Sequence, residues 1–465
     1  MSEQPSILFD IEVYHGFFYI GMKRVHDSIR RAFEMSKRMN HTADDLAAMR
    51  ADVRNFLFQY QSVGFNSLSY DLPLIWYWIT GADNAQLKSA SDRIIQNRVR
   101  WWDVEDMLEI KIPWDVKQRH IDLIEPQPNP FASLKILNGR LHGVQMQDLP
   151  YDPHIEPTPE QMGHLADYCL HSDLDATHNL WDALQGPVDL RAKVSADLEQ
   201  NLMSKSDTQM GLAIIKKRVE HKLGHRVPKP KVVPGKTFKY RPPEYIEFQT
   251  PVLRDILDRI KAHDFVIKED GKVDLPKWLK DAHIQVGQST YSMGIGGLHS
   301  TEANRCVRAT NQYALCDFDV ASYYPAIILN TGLYPEATGS AFIDVYRAIR
   351  DERVAAKKAK DKVTDKSLKI ALNGTFGSLG SKYSFVYAPH LLISVTLTGQ
   401  LALVLLIERA VMAGFDVVSG NTDGIVIQIP HDMWDGLDGD RPRPSPRSDL
   451  IEGWERDSGF DLEGT

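Results

Sequence analysis

Three times along this chain an apolar run ends on a carboxylate, and the elements predicted around those points organise the rest. Residues 7–9 are apolar and lead into Asp10, Ile11 and Glu12, and a second apolar stretch at 17–21 reads as a paired strand. Alternation along a strand puts Asp10 and Glu12 on one face. A second strand ends through Val63, Gly64, Phe65 and Asn66, shortly before Asp71, and helical spacing over 165–180 carries Tyr168, Asp173, Asp175 and Thr177. From Cys316 the chain reads as a buried strand ending near Asp319, a tight turn carrying Tyr324 and Pro325, and an apolar helix start. Two further apolar strands, 416–419 and 425–429, flank a hairpin tip built from Gly420, Asn421, Thr422, Asp423 and Gly424. Such a mixture over 465 residues predicts a multidomain protein of α/β and α+β class.

Composition sets limits. A chain 43% hydrophobic and 25% charged has ample material for a core. No run of eighteen apolar residues is read and residues 1–7 are polar, so neither a membrane span nor a signal peptide is expected. Cys169, Cys306 and Cys316 are widely spaced, without a metal-ligand pattern, and fit a reducing compartment. A formal charge of −8 argues against a generic basic nucleic-acid coat, but the charge is unevenly placed. Residues 216–241 are strongly basic and carry Pro228, Pro230, Pro234, Pro242 and Pro243, which predicts a non-helical linker. Lysines spaced by prolines suit a phosphate backbone or simply solvent. A second basic run, 350–362, has helical spacing that sets Arg353 and Lys357 one turn apart; a solvated helix face explains it equally well.

The carboxylates carry the candidate chemistry. Asp10 and Glu12 on one face repel each other, which a cation between them would relieve; a solvated strand edge is the plainer alternative. Asp319 and Asp423, about a hundred residues apart and each at a strand end, are what a two-metal phosphoryl-transfer site needs.

The order of Asp-x-Glu strand, Phe65-Asn66 turn with Asp71, and helix with Tyr168 and Asp173 resembles the three motifs of the four-carboxylate 3′–5′ exonucleases. The resemblance implies an RNase H-like domain in which Asp10, Glu12, Asp71 and Asp173 hold two metal ions and Tyr168 orients the attacking water. Phe65 and Asn66 would contact DNA. Tyr168 and Asp173 are five apart, where the tyrosine form of the family spaces them four apart. Ser133 and Leu134 open a Ser-Leu-x-x-apolar element that in proofreading polymerases holds the single-stranded primer end; a helix capped by Ser133 is the alternative. Gly296 and Gly297, after Gly294, are similar to the Tyr-x-Gly-Gly loop that touches the template, with glycine in the tyrosine position.

From Asp319 onward the chain resembles a family B (alpha-like) DNA polymerase of the short phage type. Asp319 to Pro325 matches the first palm motif, with Tyr323 in a leucine position. Lys369, Asn373 and Gly377 match the fingers motif, in which Gly374 and Phe376 are substitutions. Gly420, Thr422 and Asp423 match the second palm motif, where Asn421 replaces an aspartate. The resemblance implies that Asp319, Asp423 and the Val320 carbonyl hold metal, with two Mg2+ ions at each active site and Mn2+ as a substitute. Lys369, Asn373, Arg353 and Lys357 would bind the incoming deoxynucleoside triphosphate. The Tyr324 ring would exclude a 2′-hydroxyl.

The resemblance further divides the chain into an exonuclease domain (1–205), a connecting segment (206–300), palm (301–345), short helical fingers (346–380), palm again (381–430) and a tail (431–465) with no thumb; the proline-rich run 441–447 in that tail is expected to form no helix. The expected enzyme is a proofreading DNA-directed DNA polymerase acting on a primer–template in a host cytoplasm, with a second polypeptide supplying the thumb if the enzyme is split. Two alternatives stand beside it: an exonuclease with an impaired polymerase half, and a non-catalytic DNA-binding subunit. Six carboxylates facing an anionic ligand count against the last.

Overall fold

The computed structural model describes residues 5–100, 102–129, 131–301, 305–431, 433, 437–438, 441–442 and 446–464. The chain forms two compact units, Met1–Met210 and Gly211–Thr465.

The first unit is built on a five-stranded mixed sheet. Its strands are β1 (Ser6–Tyr14), β2 (Phe17–Arg24), β3 (Arg30–Ser36), β4 (Gln61–Gly64) and β5 (Ile121–Asp122), in the order β3-β2-β1-β4-β5. β1 pairs antiparallel with β2 and parallel with β4. Helices cover both faces, which is why β1 reads as nearly continuous apolar sequence. Ile7, Phe9 and Ile11 pack into one core with the helices Ala43–Gln59 and Asp71–Ile79. Leu8 faces the other way, into a core with Leu174, Leu180 and Trp181 of the helix Leu174–Ala183. Each such side chain contributes roughly 1.5–3 kcal/mol by leaving water. Asp10 and Glu12 share the parity of Leu8, so the strand delivers them to the face covered by the helices around residue 173.

In the second unit a short ribbon, β6 (Thr237–Phe238) with β7 (Phe265–Val266), precedes a seven-stranded sheet. That sheet contains β8 (Ile284–Val286), β9 (Ser289–Gly294), β10 (Gly297–Thr301), β11 (Tyr313–Val320), β12 (Asp416–Asn421) and β13 (Gly424–Pro430). After a second ribbon, β14 (Leu437–Asp438) with β15 (Arg441–Pro442), the strand β16 (Leu462–Gly464) closes its edge beside β11. The order is β16-β11-β13-β12-β10-β9-β8. The helix Pro389–Met412 packs against it as the core helix of this unit. Its best window has a mean hydropathy of 2.0, enough for a membrane span, yet 83% of that window is buried inside the protein. Glu408, buried on this helix, accepts from the backbone N–H groups of Gln249 and Thr250, which satisfies its charge.

Three readings of the sequence are corrected. Residues 216–223 are helical, as part of the helix Asp207–Leu223, because the prolines begin only at Pro228. The tight turn after Val320 is made by Ala321 and Ser322, the latter at φ 51°, so Tyr324 and Pro325 lie in the first turn of the helix Tyr323–Thr331. The proline-rich run near the end does not keep that region from helix: Pro446 opens the helix Pro446–Ser458, a position where the missing N–H costs nothing. Residues 443–445 of that run lie outside the described residues. Trp454 of this helix is fully buried and donates its indole N–H to Ala402 at 3.0 Å, anchoring the segment that leads into β16.

Candidate active sites

In the first unit β1, the helix Asp71–Ile79 and the segment Tyr168–Asp173 bring Asp10, Glu12, Asp71 and Asp173 together. Glu12 and Asp71 are only 7% and 6% exposed. Burial, then repulsion from Asp71, Asp173 and Glu12, holds the Asp10 carboxyl well above its usual range. Burial, then Asp173 and Asp71, does the same to Glu12, with Lys135 opposing. Burial, with Asp122 next, pushes Asp71 up to about 7, and burial pushes Asp173 up to about 6. The Asp10 carboxyl lies close enough to Asp71 to offset part of that rise. Carboxylates this close and this dry are costly unless a proton or a cation sits among them, so the donor set fits a hard divalent ion.

The spacing of Tyr168 and Asp173 has a structural cause. Residues Tyr168–Asp173 form one turn of π-helix between the helices Pro159–Asp167 and Leu174–Ala183, and the Leu174 N–H reaches back to the carbonyl of Cys169. In such a widened turn, residues five apart stand above one another. The Tyr168 hydroxyl therefore meets the Asp173 carboxylate and opposes the upward push on it.

The second exonuclease-like motif is held by Asp122 on β5. Its carboxylate accepts from the N–H groups of Asn66 at 2.7 Å and Leu68 at 2.9 Å, fixing the turn in which Asn66 takes φ 56° and Phe65 is half-buried. A cavity of about 610 Å³ opens on Glu12 and Asn66. Ser133 caps the helix Leu134–Arg140 by accepting from the Ile136 N–H, which is the cap anticipated for it. Leu134, in that first turn, packs partly buried against the core, and the Lys135 ammonium lies over the Tyr168 ring.

Sequence reasoning missed Asp122 and Cys169. The buried Cys169 thiol lies 3.9 Å from Asp10 Oδ2. Asp10, Glu12 and Cys169 offer ligand atoms within 4.8 Å of one another, so this cysteine does belong to a candidate metal cluster. Burial and then Asp10 push the thiol up, keeping it protonated. No spacing rule exposes it, because its partners come from β1.

In the second unit, β11 and β13 run antiparallel with Asp319 opposite Gly424. The carbonyl of Asp423 accepts from the Val320 N–H at 2.8 Å, locking the two strand ends together. A Cβ on Gly424 would sit 2.1 Å from Asp319 Oδ1, so only glycine leaves that carboxylate in place. Asp319 and Asp423 are exposed. Burial, then Asp317, Asp423 and Glu463, raises Asp319; burial raises Asp423. Asn421 turns its amide oxygen to accept from the Thr422 hydroxyl at 3.0 Å.

Glu463 is the residue that sequence reasoning could not find. β16 pairs with β11 so that Glu463 stands directly opposite Asp319, adding a carboxylate to the face from which Asn421 has removed one.

Of the remaining predicted residues, the glycine hairpin, Tyr324 and Arg353 contact the segments at these strand ends. Ile295 and Gly296 form the tip of the β9–β10 hairpin, Gly297 opens β10 opposite Gly294, and the Leu298 carbonyl accepts from the Thr422 N–H at 2.7 Å. A Cβ on Gly297, which sits at φ 144°, would lie 3.1 Å from the Thr422 Cα, so glycine lets the hairpin pack close there. The Tyr324 hydroxyl donates to the Gly296 carbonyl at 3.2 Å. Its ring stacks on Phe376, with centroids 4.0 Å apart and planes at 7°. Phe376, a substitution within the fingers motif, backs the Tyr324 ring. Lys369 and Asn373 are exposed, one turn apart on the helix Lys362–Ser378. Arg353, on the helix Ala341–Lys358, bonds Asp365 and Ser322 at 3.0 Å each, which ties that helix to the turn after Asp319. Lys357 is exposed one turn further on.

No family model matches the chain, and no curated protein matches it. Among solved structures it is similar to the family B DNA polymerase from the hyperthermophilic archaeon Pyrobaculum calidifontis, with a TM-score of 0.51 and 15% identity. The match covers 99% of this chain and 56% of that one. At that identity the likeness is one of fold: the chain is a mixed α/β protein with a family B polymerase-like fold.

Proposed function

We propose that this protein is a DNA-directed DNA polymerase whose first unit is a 3′–5′ exonuclease of RNase H-like topology. The observation that carries the reading is the register of Asp319 against Gly424, which brings Asp423 beside Asp319 with a glycine where a side chain would displace the Asp319 carboxylate. Asp319, Asp423 and the Val320 carbonyl would hold Mg2+ in the second unit, and Asp10, Glu12, Asp71 and Asp173 in the first. When bound, the ions supply charge neutralisation at phosphate and activation of the attacking oxygen.

The side chains do the rest. Lys369 and Asn373 present one polar face for a triphosphate, and Lys357 is exposed on the neighbouring helix. The stacked pair Tyr324–Phe376 makes a rigid wall that leaves no room for a 2′-hydroxyl. In the first unit the Tyr168 hydroxyl orients water at Asp173.

A second reading is favoured by Asn421: an exonuclease whose polymerase half is impaired by one fewer carboxylate at the second palm motif. Purified chain with a labelled primer–template and Mg2+, with and without deoxynucleotides, decides between them. Extension supports the first reading, shortening alone supports the second, and a mobility shift with neither product leaves a DNA-binding subunit.

A further inference from the structure

The second unit holds a cavity of about 850 Å³ that the proposed chemistry does not use. One wall is the basic segment between the prolines, with Lys236, Lys239 and Arg241 beside Phe238. Facing it are His390, in the first turn of the helix Pro389–Met412, and Arg456, close to the C-terminal end of the helix Pro446–Ser458.

The cations here are incompletely used. Lys239 approaches Asp264 only to 3.9 Å, and Lys236 meets Glu336 at 3.2 Å while half exposed. Arg409 engages Asp457 at 2.9 Å, and Arg456 stays 3.8 Å from that carboxylate, 77% exposed. Arg241 has no hydrogen bond or ion pair from its side chain among the described residues. The Tyr245 hydroxyl in the cavity wall is buried with no partner, a group that costs free energy until something bonds it. Phe238 is half-buried, stacked on Phe265 at 5.7 Å and met by the His390 ring at 77°. The helix bearing His390 begins without a side-chain cap, which adds the positive end of its dipole.

Cations, a half-exposed aromatic ring and an orphan hydroxyl are the chemistry of a nucleotide: phosphate for the first, base for the others. The positive charge also continues beyond the cavity, through exposed Lys231 and Lys229 on the same extended segment. A single nucleotide would leave those lysines unused, whereas a chain of phosphates would not. We propose that this cavity and its basic rim bind a short stretch of single-stranded DNA, at a site apart from Asp319 and Asp423. That the strand is DNA rests on the polymerase reading; the base-and-phosphate chemistry does not.

The test is fluorescence anisotropy of a labelled oligo-dT with the full chain in EDTA, where neither extension nor shortening occurs, across a salt series. Lys239→Ala/Arg241→Ala is expected to weaken binding about tenfold and to flatten the log–log salt slope by about 1.4, two phosphates at about 0.7 each. Arg241→Lys should keep the slope. Phe238→Ala should cost about tenfold through lost stacking. Tyr245→Phe keeps the ring and removes the orphan hydroxyl, so it should weaken binding while raising the thermal midpoint of the ligand-free chain. Unchanged affinity and slope in the double variant would overturn the site. Competition by dATP as effective as that by unlabelled oligo-dT would overturn the strand and assign a free nucleotide. Binding that persists in a chain unable to extend a primer sinks only the catalytic reading.

Discussion

The two carboxylate centres use the same kind of residue in opposite surroundings. In the first unit Glu12 and Asp71 are almost out of water, and four carboxyls with a thiol press on one another. In the second, Asp317, Asp319, Asp423 and Glu463 stand at open strand ends where solvent screens them. Burial multiplies repulsion because the charge is held in a poor dielectric, so the first centre shifts its protonation strongly and the second only modestly. The first is poised to respond to pH and divalent ions; the second depends on how many carboxylates the sheet lines up.

The sharpest way to separate the centres is to disable each alone. Asp423→Asn should reduce primer extension about 10³-fold while leaving shortening intact, and Asp10→Asn should do the reverse; gel assays of both reactions check it. Loss of both reactions in either variant would break the comparison. Gly424→Ala comes next. Its Cβ would contact Asp319 Oδ1 at 2.1 Å, so extension should fall about 10²-fold, with an unfolding cost of about 1–3 kcal/mol read by denaturant titration. Tyr168→Phe should slow shortening about tenfold by removing the hydroxyl that meets Asp173, with extension unchanged.

The pH response follows from the direction of the shifts. Asp71 at about 7, with Asp173 and Asp122 at about 6, are all raised by burial relative to the unfolded chain. Groups raised on folding favour the fold fully below their unfolded value near 4, and that contribution is lost as pH climbs through 6–7. In EDTA the thermal midpoint of the first unit should therefore drop between pH 5 and pH 8. Mg2+ at about a hundred times its dissociation constant should return about 2.7 kcal/mol at pH 8. A calorimetric profile flat in both pH and Mg2+ would refute the account of the buried centre.

The smallest effect tests the exposed centre. Glu463→Gln should raise the Mg2+ concentration needed for extension severalfold, Asn421→Asp should lower it, and the two together should nearly cancel. Identical metal titrations for all three variants would remove Glu463 and Asn421 from the site.

What the sequence made legible was local. Asp319 and the Asn421–Gly424 tip could be read because strand, turn and carboxylate lie within a few residues, and Asp10 and Glu12 because strand parity is a local rule. Glu463 escaped because it reaches the site only through the pairing of β16 with β11, across more than a hundred residues. Asp122 escaped because it acts on a turn that lies far earlier in the chain. Reading 216–223 as linker shows the opposite error, a composition signal from later prolines spread over a helix that had not yet ended.

The π turn at Tyr168–Asp173 has a consequence for how this helix can change length. One residue more than an α-helical turn advances everything downstream by about 100° around the axis. Upstream, Met162, Leu165 and Cys169 face the core; downstream, Leu174, Thr177 and Trp181 do, and the two stripes are out of phase as one continuous helix. The wide turn is a splice between them. Deleting one residue at 169–172 would bring the carboxylate to the four-residue spacing but swing one stripe off its core, unless a residue were restored elsewhere in the same helix.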